Sequence, residues 1–211
     1  MKNKWLLAVL FFLLSVVSMM PAATVQAKGE DCVSPKSAQL KTDMQKAWID
    51  HTIWTRSYIV SALADLEDQQ DVLDRLLQNQ QDIGNLIKPY YGEAVGDKLA
   101  DLLREHIVIA GKIVAAAKAD NEKQVKTLAT EWHRNADDIA KFLSEANPNW
   151  QFTEMRDMLY THLKLITEVV QDRINRNWKA DIAATDKNEV HMIHFADMLA
   201  EGIVKQFPDK F

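Results

Sequence analysis

Imidazole, carboxamide and carboxylate side chains recur along this chain at close to one interval. His51, His106 and His162 are separated by 55 and 56 residues, while Asn79, Asn135 and His191 step by 56 each time, as do Asp82, Asp138 and His194. Neutral imidazole and carboxylate together suit zinc, iron, copper or nickel. The pattern therefore nominates a site for one divalent transition metal, or for a small ligand, built from His51, His106, His162, His191, His194, Asp82 and Asp138. Within it, His191-x-x-His194 is the most compact element, because a three-residue step places both rings on one helical face. The same residues fit a second role. His–Asn and His–Asp hydrogen bonds inside a helical core satisfy buried polar groups and fix the register of the helices. The Glu-x-x-His spelling of di-iron bundles does not occur at these histidines, since Leu103 and Leu159 stand three residues ahead of His106 and His162.

Other candidates are weaker. His133 and Asp137 have a ligand-compatible spacing but sit on a charged, solvent-facing stretch, and Glu168 and Asp197 read as solvated acids. Arg56 is placed to meet a carboxylate or anion across the core, with a surface charge as the alternative. Trp132, Trp150, Trp178, Tyr90 and Tyr91 either line a ligand pocket or plug the helix ends and breaks. The chain has no Gly-rich phosphate loop, Gly-x-Ser-x-Gly elbow or His-Glu-x-x-His helix, which removes the usual machinery of kinases, serine hydrolases and zincins. No catalytic residue is assigned, and an enzyme using a bound metal ranks behind binding and structural roles.

The elements that must position these groups are helices. Apolar residues follow three- and four-residue steps, as in Leu40, Met44, Ala47, Trp48, His51, Trp54 and Tyr58, and no alternating strand pattern occurs. Ser34-Pro35 supplies an N-cap and a proline at the first helical position. Six helices are expected. The first ends near Leu66, and the second is stopped at Ile87 by Pro89-Tyr90-Tyr91-Gly92. The third runs from Glu93 to Ala119, and the fourth is capped by Asp120-Asn121 and ends near Glu145. Asn147-Pro148-Asn149-Trp150 then breaks the chain. A fifth helix is capped at Thr153, and a sixth runs from about Asn177 to Phe207-Pro208. The fold class is all-α, a six-helix bundle made of three helical-hairpin repeats.

In an antiparallel hairpin, residues equally far from the turn lie level, because both helices rise about 1.5 Å per residue. His51 and Asn79, His106 and Asn135, and His162 and His191 are such pairs. If the hairpins close around one axis, the three first-helix histidines approach a common polar layer.

The N-terminus carries Lys2 and Lys4, an apolar run from Trp5 to Met20 and then Val25-Gln26-Ala27, the pattern of a cleaved secretory signal peptide. The expected organisation is a signal peptide over 1–27, a short leader over 28–36 and a helical domain over 37–211. The product is secreted or associated with the cell envelope, with no stable membrane insertion after cleavage. Cys32 is the only cysteine, so no intramolecular disulfide staples the fold. Loss of Lys2 and Lys4 takes the formal charge from −5 to −7. An acidic chain without a basic run is a poor nucleic-acid binder.

Four stretches, Asp50-His51-Thr52-Ile53-Trp54-Thr55-Arg56, Asn79-Gln80-Gln81-Asp82-Ile83-Gly84, Pro89-Tyr90-Tyr91-Gly92 and Gly202-Ile203-Val204-Lys205-Gln206-Phe207-Pro208, resemble an uncharacterised family of small helical proteins of Gram-positive bacteria, especially bacilli. Some members are labelled acetylglutamate kinase. Such kinases are α/β proteins with Gly-rich loops, and this chain has neither. The resemblance implies the helical fold and the bacterial source, and it supplies no ligand or catalytic residue. The expected function is binding of a metal ion or small ligand at the polar layer, with a structural or protein-interaction role in the envelope as the alternative.

Overall fold

The computed structural model describes residues 34–211, so the expected signal peptide, the leader up to residue 33 and Cys32 lie outside the described residues. Six α-helices follow in order: α1 Pro35–Ala64, α2 Gln69–Tyr91, α3 Glu93–Lys118, α4 Glu122–Ala146, α5 Phe152–Ile174 and α6 Trp178–Gln206, closed by a short 3₁₀ turn at Pro208–Lys210. There is no strand among the described residues. Each helix packs on its chain neighbours and α6 returns to α1, so the bundle forms a closed ring. α1 also touches α3 and α5 across the middle. The helices that carry His51, His106 and His162 are therefore the ones that meet at the centre.

One device ends the first helix of each hairpin. Asp65, Asp120 and Arg176 adopt left-handed backbone angles, with φ of 52°, 55° and 58°. The next residue's N–H then reaches back to a carbonyl of the last turn: Leu66 to Ser61 at 3.0 Å, Asn121 to Ala116 at 2.9 Å, and Asn177 to Asp172 at 2.8 Å. This bond satisfies a carbonyl that a helix end leaves orphaned. Aspartate tolerates the left-handed region better than arginine does, which makes Arg176 the strained copy. His51, His106 and His162 each stand fourteen residues ahead of that left-handed residue (51 to 65, 106 to 120, 162 to 176).

Two expected boundaries differ. Pro89 does not stop α2, which runs on to Tyr91 and ends at Gly92 with φ 87°. A proline in the last turn costs one ladder bond, while a glycine in the left-handed region reverses the chain. α5 starts at Phe152 from Gln151, whose side chain makes no cap, so Thr153 lies inside the helix. Ser34 and Asn121 do cap α1 and α4, accepting from the N–H groups of Ser37 and Gln124.

Close approach is set by small residues. Gly84 of α2 and Gly96 of α3 lie so near each other that a Cβ at either would meet the other's backbone oxygen. Gly202 gives the indole of Trp150 its place against α6, where Trp150 Nε1 donates to Met198 O at 3.2 Å. Beside it, Tyr91, Phe207, Tyr90 and Phe211 form a chain of ring contacts at 5.2–6.1 Å. Trp132, at 4% exposure, packs on His106. These aromatics are packing plugs. Trp178 is the exception, half exposed with the Arg173 guanidinium over its face at 5.0 Å.

Candidate functional site: a buried imidazole–amide layer

His51, His106 and His162 are 2–3% exposed. Their ring centroids lie 5.5 Å apart for His51 and His162 and 6.1 Å for His106 and His162. Trp48 flanks His51 at 5.4 Å and Trp132 flanks His106 at 5.1 Å, giving one row of five rings across the core.

Each imidazole is anchored by a carboxamide of its own hairpin. His106 Nδ1 lies 2.7 Å from Asn135 Oδ1, and Asn135 Nδ2 donates to Leu102 O at 3.1 Å. The amide oxygen therefore accepts, the proton sits on His106 Nδ1, and Nε2 keeps its lone pair. In the third hairpin the two tasks are divided. Asn188 Oδ1 takes His162 Nδ1 at 2.7 Å, while His191 Nε2 donates to Met158 O at 2.8 Å. The first hairpin divides them again. Asn79 Nδ2 donates to Ala47 O at 3.0 Å, and His51 Nδ1 faces Gln80 Nε2 at a long 3.4 Å. Ala47, Leu102 and Met158 each stand four residues ahead of the layer histidine of their helix. The same helix-to-helix tie thus recurs at one height in all three hairpins.

Burial dominates the acid–base behaviour. It pushes His106 down to about 3 and His162 to about 4, with His162 adding to the depression at His106 and His191 adding to it at His162. His51 falls well below its ordinary value through burial and the nearby His162 and His106. All three are neutral at pH 7. Several buried polar atoms around them have no hydrogen-bond partner: Trp48 Nε1, Gln80 Oε1, His106 Nε2, Trp132 Nε1 and Asn188 Nδ2.

The remaining expected ligands stand elsewhere. Asp82 lies in a surface groove of about 250 Å³ between α1 and α2, paired with Arg75 at 3.3 Å. Asp138 and His194 are exposed, and His191 is half-buried and committed to Met158 O. The expectation that all seven residues converge is corrected on helical geometry. Asp82, Asp138 and His194 each lie three residues beyond an inward or flanking position, which turns them about 60° off the buried stripe. His191 is likewise replaced by Asn188 as the partner of His162, since Asn188 lies on the stripe of Asp181, Ala184, Met192 and Phe195. Among the described residues no group of three His, Cys, Asp or Glu side chains is arranged to hold a metal ion.

A second buried polar assembly was only half legible. Arg56 does meet a carboxylate: Asp181 Oδ2 accepts from Arg56 at 2.8 Å and from Arg173 at 3.1 Å, and Arg56 Nε donates to Thr185 Oγ1 at 2.8 Å. Asp181 is fully buried. The signal for Asp181 and Asn188 was a polar residue standing on the apolar stripe of α6; for Gln80 it was the same, between Leu76 and Ile83. The other acids are ordinary surface groups. Asp197 is held by Gln45 and Lys41, Glu168 by Lys164, and Asp137 by Tyr160, while His133 turns back to Ala129 O.

No protein-family model, curated protein or solved structure matches this chain.

Proposed function

We propose that the chain is an exported, non-catalytic helical domain made of three copies of one hairpin. In this reading the imidazole–amide layer is a lock that fixes helix register, and the domain acts in the envelope by binding a partner at its surface. One observation carries the lock: the tie from an even-numbered helix to the carbonyl four residues ahead of His51, His106 or His162 recurs in every hairpin, made by Asn79, Asn135 and His191. Buried polar groups that are paired across elements specify one arrangement of a core that apolar contacts alone leave free to slide.

A second reading, binding of a divalent transition metal or small polar ligand within the layer, has its own support. Metal-ligating histidines commonly donate one ring N–H to a protein acceptor and offer the other nitrogen. His106 is held this way, with Nε2 unpartnered. The indole and amide N–H groups beside it suit water or a neutral polar guest better than a cation.

Elemental analysis of the purified protein, followed by titration with Zn²⁺, Cu²⁺ and Ni²⁺ at pH 7.5, separates the two. The lock predicts no stoichiometric metal. One equivalent taken up by the wild type and lost in His106→Gln at unchanged helix content would overturn it. Export predicts that the secreted protein begins at Lys28, read by N-terminal sequencing.

A further inference from the structure

The three layer histidines belong to three different hairpins, and nothing charged faces them. α1 presents His51 with Trp48, Thr52 and Thr55; α2 presents Asn79 and Gln80; α3 presents His106; α4 presents Trp132 and Asn135; α5 presents His162; α6 presents Asn188 and, at its edge, His191. The titratable neighbours that act on these rings are other histidines: the layer rings on one another, the exposed His133 on His106, and His191 on His162. The carboxylates of the same helices are turned away or engaged. Asp50 is bonded to Lys46, Asp82 to Arg75, Asp137 to Tyr160 and Asp181 to two arginines, and Asp138 is exposed.

We propose that this row is an acid-sensitive latch, so that on acidification the hairpins part from one another while the helices within each hairpin persist. The direction of opening follows from the placement. Protons on His51, His106 and His162 put like charges 5.5 and 6.1 Å apart in ring-to-ring distance, across hairpin boundaries and with no carboxylate to neutralise them. The turn bonds that close each hairpin, at Leu66, Asn121 and Asn177, involve no titrating side chain. The depressed proton affinity of the rings supports the same direction, since the closed form excludes protons that the open form accepts. Trp48 and Trp132, packed on the end rings, lose their fixed surroundings as the row separates.

The test is an acid titration of the whole protein between pH 7.5 and 2.5, read by near-UV and far-UV circular dichroism together with proton uptake. The latch predicts a reversible loss of the aromatic signal above pH 3.5 with helical signal retained, coupled to uptake of about three protons beyond those of the exposed groups. In the triple variant His51→Gln, His106→Gln, His162→Gln, that transition should vanish or move down by about one pH unit or more. An unchanged midpoint in this variant overturns the proposal, as does loss of both signals together in the wild type. If the triple variant does not fold, the imidazole C2–H resonances of the wild type decide. Three rings titrating in step with the aromatic signal support the latch, and rings that titrate singly within an intact fold overturn it.

Discussion

Two buried polar assemblies tie α1 to the rest of the bundle, and they differ in charge. Around Asp181, a carboxylate with 1% side-chain exposure is shared by Arg56 and Arg173, whose side chains remain 24% and 21% exposed. In the imidazole layer His51, His106 and His162 are neutral at pH 7, and the ties run from amide or imidazole to backbone carbonyl. The charged assembly sits near the hairpin turns, where its arginines reach water with their outer edges. The neutral one sits at mid-height, where α1, α3 and α5 close on each other. Desolvating an ion costs several kcal/mol, so charge is kept where part of it stays hydrated, and the driest level of the bundle carries only dipoles.

Acid should separate the two most sharply. The folded-state proton affinities of His51, His106 and His162 are all depressed, so the stability they contribute is complete above about pH 6.5 and is lost as pH falls toward about 4 and about 3. At about 1.4 kcal/mol per unit of displacement, His106 and His162 each cost about 3 kcal/mol by pH 4, and His51 acts in the same direction. Denaturant midpoints should drop steadily between pH 6.5 and 4, and a flat profile there would remove the contrast. Next comes Asp181→Ala, which strands Arg56 and Arg173 without their shared anion. A loss of about 3–4 kcal/mol at pH 7 is expected, reduced from the fully buried case by the partial exposure of both arginines.

Smaller effects grade the layer itself. Asn135→Ala orphans the buried His106 Nδ1–H and cuts the cross-helix bond to Leu102 O, which keeps its bond within α3, for about 2–3 kcal/mol. Asn188→Ala leaves the His191 tie in place and should cost about 1–2 kcal/mol, so equal losses at the two positions would contradict the division of labour in the third hairpin. Gln80→Leu is expected to cost about 1 kcal/mol, because losing the Nε2 bonds to Leu76 O at 2.7 Å and Asn79 Oδ1 at 3.3 Å is partly offset by removing a buried, unpartnered Oε1. Thermal melts of the three variants at pH 7.5 give the ranking directly.

How much of this was legible can be read at particular residues. His51, His106 and His162 stood out because each interrupts an apolar helical face, and burial of all three follows from that alone. Asn79 and Asn135 were legible as their level partners, since distance from a tight turn fixes height in an antiparallel pair. Arg56 was legible as a cation needing an anion. Its partner was not, because nothing in the spacing of Arg56 and Asp181 says that α6 returns to lie beside α1. Of the expected metal set, Asp82, Asp138 and His194 lie off the buried stripe: they share the sequence interval of the inward residues but are rotated toward the surface.

The sequence by itself determined the elements. Periodicity, the caps Ser34 and Asn121, the breaks at Asn147-Pro148 and at Gly92, and the choice of an all-helical fold are local properties, decided within one or two turns of chain. Only the tertiary structure decided which polar groups meet. Asn188 rather than His191 takes His162, Gln80 rather than Asn79 faces His51, and Asp181 joins two arginines, because each pairing depends on the rotation and height of one helix against another. A shift of a single residue in a helix turns a side chain by about 100° and moves it about 1.5 Å. That precision comes from the packing of the whole ring of helices, from contacts such as Gly84 on Gly96 and Trp150 on Gly202, and no local stretch of sequence contains it.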